Sequence, residues 1–295
     1  MRGAHPERAI ERAIERSGAL HRGERVLVAC SGGPDSIALT AALHATASRM
    51  RLTLFSAFVD HGTRASSWQD ECVVLELAAR HSIALDVLPL AARTKSEERL
   101  RALRYAALAR AAKARGCSVV ATAHHAEDQS ETVLLALLRG AGPQGLGGMQ
   151  SRRPLEPGVD LARPIIGVTS EALREYCHAK SLPYAIDPTN SDRALRRNAV
   201  RDALAALRPL FPGLDRAVAR AAELVSEEFD ATRRAELRRS IRAQLAADDG
   251  LRDIDFEHVE AAVRALEKGR TGTFHMKPGI ALRIERGSIR GIRKE

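Results

Sequence analysis

Short apolar runs alternate with stretches of helical periodicity through the first two hundred residues. VLVAC at 26–30, LTLFSAFV at 52–59, IALDVLPL at 83–90 and SVVATA at 118–123 have the composition of strands. The stretches between them, at 37–44, 68–81 and 96–115, read as helices. Strands alternating with helices predict an α/β fold, a doubly wound parallel sheet covered on both faces. In such a sheet ligands sit beyond the carboxyl ends of the strands. Three polar clusters fall at those ends: SGGPDS at 31–36, DHGTR at 60–64 and HHAEDQSET at 124–132. Further on, RGAGPQGLGGM at 139–149 reads as a flexible loop, and a helix follows from about Ser170 to Lys180. A long, charge-alternating helical stretch at about 214–247 reads as a connector. Beyond it, a helix near 255–267 and three short β-like pieces (TGTFHM, ALRIER, SIRGI) predict a small C-terminal α+β domain. The predicted division is therefore 1–214, a helical connector at 215–249, and 250–295.

Composition narrows this picture. Of 295 residues 45% are hydrophobic but only 3% aromatic, so the core must be built from Ala, Leu, Val and Ile. No apolar stretch is long enough to span a membrane. The opening segment is Arg-rich, but Glu7, Glu11 and Glu15 argue against a transit peptide and for an amphipathic helix. A cytoplasmic, soluble protein is expected. Cys30, Cys72, Cys117 and Cys177 form no CxxC pair and lie in or beside apolar segments, where reduced cysteine behaves as a small hydrophobe. The net charge of +9 points to an anionic partner. Its distribution says more: residues 91–116 carry eight Lys/Arg against two Glu, and 264–295 nine against three. Clustering of this kind favours a phosphate-backbone footprint.

The glycines of SGGPDS sit at a strand-to-helix turn, where unpaired backbone N–H groups and the helix dipole attract anions. Gly32 and Gly33 let the backbone close around phosphates, and Ser31 and Ser36 add hydroxyls. Asp35 is out of place in a plain anion cradle and suggests a bridging metal ion. The loop lacks the Gly-Lys-Ser/Thr of a Walker loop and the third glycine of a dinucleotide fingerprint. In HHAEDQSET, Asp128 and Glu131 are three apart on one helical face, able to hold Mg²⁺ and take up a proton, or else serving as first-turn acids of a helix. Asp60 and His61 are placed over the same crevice, or belong to an ordinary β-to-α turn. Arg101 and Arg104 share a helical face that is either a phosphate clamp or a solvated stripe.

Taken in order, SGGPDS at 31–36, VDHGTR at 59–64, LRALRY at 100–105, ATAHHAEDQSET at 121–132, RGAGPQGLGGM at 139–149, RPI at 163–165 and DPTNSDRALRRNAVR at 187–201 resemble the tRNA(Ile)-lysidine synthetase family of the PP-loop ATP pyrophosphatases. The resemblance covers about residues 24–214; the remainder is similar, less closely, to the short C-terminal module of compact members. Three positions depart from the family pattern: Glu127 in place of Asp, Leu100 in place of Ala, and Thr63 in place of Leu. The resemblance implies a PP-loop catalytic domain that binds ATP through Ser31, Gly32, Gly33, Pro34, Asp35 and Ser36. It implies Mg²⁺ at Asp35, Asp128 and Glu131, with catalytic roles shared among Asp35, Asp60, Asp128 and Glu131. Phosphate or tRNA contacts fall to Arg101, Arg104, Arg197 and Arg201, and a tRNA contact to residues 250–295. The implied substrates are ATP, L-lysine and the isoleucine tRNA with a CAU anticodon, and the implied reaction is a carbon–nitrogen ligation that makes lysidine from the wobble cytidine. Which of Asp60, Asp128 and Glu131 receives the lysine ammonium, and whether the protein is a monomer or a homodimer, stay open.

Two rivals remain. Thiolating relatives share the loop, but 2-thiocytidine synthetases carry CxxC pairs for an iron–sulfur cluster, which this chain lacks. A non-catalytic tRNA-binding scaffold would be expected to lose its loop and carboxylates first, and Asp35, Asp128 and Glu131 are in place.

Overall fold

The computed structural model describes residues 6–60, 67–90, 96–185, 195–247, 256–277, 280–285 and 288–294. Its elements run α1 (Pro6–Arg16), β1 (Arg25–Ala29), α2 (Pro34–Met50), β2 (Thr53–Asp60), α3 (Ser67–Arg80), β3 (Ala84–Pro89), α4 (Glu97–Ala114), β4 (Val119–Ala121), α5 (Ala126–Leu138), α6 (Pro143–Leu146), β5 (Arg152–Glu156), β6 (Val159–Ala162), α7 (Ser170–Ala179), α8 (Leu195–Leu207), α9 (Leu214–Ala247), α10 (Phe256–Glu267), β7 (Gly272–Lys277), β8 (Ile280–Glu285) and β9 (Ser288–Lys294). The chain divides into two compact units, Met1–Glu223 and Leu224–Glu295, with the division inside α9.

In the first unit the strand order is β3-β2-β1-β4-β6-β5, all parallel except the antiparallel edge strand β5. The apolar runs lack polar alternation because both faces are covered. Val26 and Val28 of β1, with Val119 and Ala121 of β4, join a core that includes Ile37, Leu39, Leu43, Leu173 and Tyr176 from α2 and α7. Leu27 and Val120 point the other way, onto Tyr105 and Leu108 of α4. The mostly parallel sheet expected from the sequence is thus the one observed. The β5–β6 hairpin was not anticipated, because RRPLE carries two arginines. Arg152 is accommodated by pairing, with Asp160 at 2.8 Å and Glu24 at 2.9 Å, while Arg153 donates to the Pro154 carbonyl at 2.9 Å.

Two other expectations need correction. The glycine-rich 139–149 segment is built rather than loose. It contains the α6 turn, and the Gln129 side chain brackets its end, donating to Met149 O at 3.1 Å and accepting from Met149 N at 2.8 Å. Cys30, Cys117 and Cys177 are buried as expected, but Cys72 is exposed on α3.

The chain leaves β1 toward β2 and β3, then returns to lay β4 on the opposite side of β1. That reversal opens a crevice at the carboxyl ends of β1 and β4, the place where open α/β sheets bind ligands. The second unit is a three-stranded antiparallel sheet, β7-β8-β9, packed with α10 and the end of α9 around Ile241, Leu245, Val263, Met276 and Ile284. Arg234 bonds Glu267 at 2.6 Å there, and Arg238 pairs with Glu260. Among the described residues no helix is long and apolar enough to cross a membrane.

One tertiary contact has a pH consequence. His81, at the end of α3, stacks on His44 of α2 with ring centroids 4.4 Å apart, and its Nε2 is buried without a hydrogen-bond partner. Burial, then His44 and Arg80, push its pKa below the ordinary 6.5. The fold therefore favours the neutral ring, so this contribution is complete above about pH 6.5 and is lost as pH falls below it. Chemical denaturation at stepped pH should show stability declining through that range, with this component absent in His81→Asn.

Candidate active site

The chain turns out of β1 at Cys30, whose N–H donates to Ala57 O at 2.9 Å, and α2 begins with Gly33 as N-cap and Pro34 at its first position. Gly32 carries the strain of the turn. Its φ is +86°, and a Cβ there would stand 2.9 Å from the Asp70 backbone oxygen. Only glycine satisfies both conditions. The Ser36 hydroxyl braces the loop internally, donating to Gly33 O at 2.9 Å and accepting from Ser31 N at 3.1 Å. Ser31 is exposed, and the first N–H groups of the 17-residue α2 face the crevice end of the helix with its positive dipole.

Asp35 is held against the cluster that follows β4. His125 is the N-cap of α5, and its ring sits among three carboxylates: Nδ1 is 2.9 Å from Glu127, and Nε2 is 3.5 Å from Asp128 and 3.6 Å from Asp35. Its backbone N–H also donates to Asp128 Oδ2 at 3.2 Å. Burial pushes the ring toward neutrality, but the hydrogen bond to Glu127 and the charges of Asp128 and Asp35 outweigh it, raising the pKa to about 9. The ring is a cation at neutral pH. Burial pushes Asp35 up; the His125 charge opposes that, and Asp128 adds to it. One Asp35 oxygen is buried with no hydrogen-bond partner.

Glu127, the residue that departs from the family pattern, has a structural use. Its carboxylate accepts from Ser170 N at 3.0 Å and from Ser170 Oγ at 3.1 Å, in the first turn of α7. Burial opposes its charge, but the bond and charge of His125 and the Ser170 N–H prevail, and its pKa falls to about 2. Sequence reasoning did not assign His125, Ser170 or this use of Glu127. The doubled histidine was visible, but the helix cap and the α7 partner exist only in three dimensions.

His124 is in the opposite state. Burial, then the charges of Arg163, Arg101 and Arg104, push its pKa down to about 3, and Thr122 Oγ1 lies 2.9 Å from its Nδ1. Arg101 and Arg104 both approach the Tyr105 ring, at 5.6 and 5.8 Å from its centroid. Arg163, the arginine of the RPI motif, is 2% exposed, donates to Gln150 O at 2.6 Å and keeps Nε buried without a partner. A cationic lobe thus adjoins the neutral histidine, while a carboxylate lobe surrounds the charged one. Arg163 was not assigned from the sequence, where it stood only as part of the RPI motif.

The remaining predicted site residues are placed as follows. Glu131 is buried on α5 and pairs with Arg201 of α8. Asp60 ends β2, its carbonyl accepting from Leu90 N at 2.7 Å. Arg197 lies on α8, and its side chain is outside the described residues, as is His61. Among the described residues no three His, Cys, Asp or Glu side chains form a ready-made metal cage. Asp35 and Asp128 nevertheless fit Mg²⁺: it is commonly held by one or two carboxylates with substrate phosphates completing its shell, and Asp35 offers an unpartnered buried oxygen beside the loop.

Fold and loop together define a protein of the PP-loop class, and the PP-loop domain family matches residues 5–207. The chain is 40% identical over 199 residues to the tRNA(Ile)-lysidine synthase of Symbiobacterium thermophilum, a match covering 65% of this chain and 41% of that protein. It is also 40% identical to those of Salinispora arenicola (76% and 69% covered) and Novosphingobium aromaticivorans (66% and 60% covered). The chain belongs to the tRNA(Ile)-lysidine synthase family. Its matched part spans between about two fifths and two thirds of these relatives' lengths. Among solved structures, the U34-tRNA thiolase NcsA from Methanococcus maripaludis shares the fold, with a TM-score of 0.62 at 16% identity over 75% of this chain and 80% of that one.

Two outcomes are expected. Gly32→Ala should weaken ATP binding at least about 10-fold in calorimetric titration, with the circular dichroism spectrum unchanged, because the loop must shift to admit the methyl group. Glu127→Asp should withdraw the carboxylate from Ser170 and cost about 1–3 kcal/mol in urea unfolding.

Proposed function

We propose that this chain is a cytoplasmic ligase that joins lysine to C2 of the wobble cytidine in the CAU-anticodon isoleucine tRNA, using ATP. The observation that carries the reading is Asp35 on a phosphate-binding loop, facing Asp128 across one imidazolium at the sheet's switch point. In the first step the cytosine C2 oxygen attacks the α-phosphorus of ATP, the bond to the bridging oxygen breaks, and pyrophosphate leaves. Ser31, Gly32, Gly33 and the start of α2 bind the departing phosphates, while Ser36 keeps the loop in shape. When bound, Mg²⁺ offsets the charge on the leaving group, and Asp35 and Asp128 would hold it.

In the second step the ε-amine of lysine attacks C2, the C–O bond breaks, AMP leaves and the nitrogen gives up a proton. Free lysine arrives mostly protonated, with a reference pKa of about 10.4. The carboxylate lobe gives its ammonium a binding place, and Asp128 or Asp60 takes the proton. Glu131 contributes differently: paired to Arg201, it ties α8 to α5 beside the crevice. Arg101, Arg104 and Arg163 offer the neighbouring lobe to anionic groups of the substrates.

The test is incorporation of radiolabelled lysine into an unmodified isoleucine tRNA transcript with ATP and Mg²⁺, against a wobble C→U transcript. Label on the cytidine transcript alone is expected; equal label on both, or none on either, overturns the assignment. Asp35→Ala should abolish tRNA-dependent pyrophosphate release while leaving tRNA affinity within about twofold, since it removes a site group and not the basic surface.

A further inference from the structure

Only two aromatic side chains are strongly exposed among those the structure describes: Trp68 at 60% and Phe211 at 59%. Trp68 lies in the first turn of α3 beside Asp70 and Glu71, charge that repels a phosphate backbone. Phe211 has the opposite setting. It sits in the short turn between α8 and α9 next to Leu210, which at 71% is the most exposed large hydrophobic among the described residues. Residues 195–220 carry six arginines against two aspartates. One of those aspartates, Asp215, is neutralised by Arg208, whose guanidinium bonds it at 2.8 and 3.2 Å.

The turn is built to present this pair. Leu210 N and Phe211 N both donate to Leu207 O, Leu214 N donates to Phe211 O, and the pair of half-buried Arg208 with buried Asp215 clamps the turn from its two ends. Exposed Leu210 and Phe211 therefore do not result from a frayed end. Arg216 and Arg220 follow at helical spacing on one face of α9, both exposed and neither in an ion pair among the described residues. The segment is also anchored to the site, through Arg201 on Glu131, and Arg208 stands within electrostatic reach of Glu127 and Glu131.

An enzyme that modifies a base must receive it unstacked, and the bases on either side of an extruded nucleotide then lose their stacking partners. Aromatic side chains replace that stacking without sequence preference, and arginines nearby hold the backbone. We propose that the α8–α9 turn is an RNA-docking surface, on which Phe211 stacks against an unpaired nucleotide of the tRNA anticodon loop while Arg216 and Arg220 contact its phosphates. This rests on the tRNA reading above and adds a surface to it outside the crevice.

The experiment measures binding of a fluorescein-labelled anticodon stem-loop of the isoleucine tRNA to the full chain by anisotropy, over a series of KCl concentrations. Phe211→Ala should weaken binding about 10-fold and leave the salt dependence unchanged, since stacking releases no counterions. The double variant Arg216→Gln/Arg220→Gln should weaken binding and reduce the slope of log K against log salt by about 0.7–0.9 for each arginine removed. ATP affinity, unchanged in both, confirms that the variants are folded. A photo-crosslinking amino acid at position 211 should join loop nucleotides of the RNA. Phe211→Ala binding like the parent, or a crosslink to a second copy of the chain in place of RNA, overturns the proposal. A parent protein that binds no tRNA overturns the functional reading itself, an outcome distinct from an indifferent Phe211.

Discussion

Three carboxylates within reach of one another would each oppose the ionisation of the others, and His125 makes them compatible. Its imidazolium lies between Asp35 at the start of α2 and the adjacent Glu127 and Asp128 of α5, so one charge joins two segments far apart in the chain, and Glu127 carries the link on to Ser170 of α7. Without that cation, burial would push Asp35 further toward its neutral acid and remove the negative group beside the Gly32–Gly33 turn. The arrangement shows how a charged side chain is retained where desolvation opposes it: three carboxylates around the ring compensate the cost of burying its charge.

Neighbouring His124 shows how little of this is intrinsic to residue type. The two rings are adjacent in sequence, yet one is raised to about 9 and the other lowered to about 3. Residues 124 and 125 turn to opposite sides of the chain as it leaves β4, one toward arginines of α4 and Arg163, the other toward carboxylates. The crevice is thereby divided into a cationic and an anionic side. That division gives anionic and cationic groups separate places in the crevice, each where opposite charge can compensate it.

Much of the scaffold was legible in the chain because it depends on local patterning. The strands at β1 to β4 are uninterrupted apolar runs, and the SGGPDS loop marks its own position by requiring glycine at Gly32. What escaped was held by partners distant in sequence. The β5–β6 hairpin has charged residues satisfied by Glu24 and Asp160, and the 139–149 segment is pinned by Gln129. Glu131, which shares a helical face with Asp128 on paper, turns its carboxylate to Arg201 of α8. Helical spacing specifies a face but not what lies against it.

The sequence by itself determined the alternation of strands and helices, the glycine-bearing turn between β1 and α2 and the set of side chains available to the crevice, since these follow from hydrophobic period, backbone geometry at glycine and the order of motifs. Only the tertiary structure decided which of those side chains are charged, which are committed to one another, and that an aromatic ring is carried exposed on the α8–α9 turn. Protonation and exposure depend on burial and on the sign of neighbouring charge, and those are properties of the packed molecule, set by residues tens of positions away.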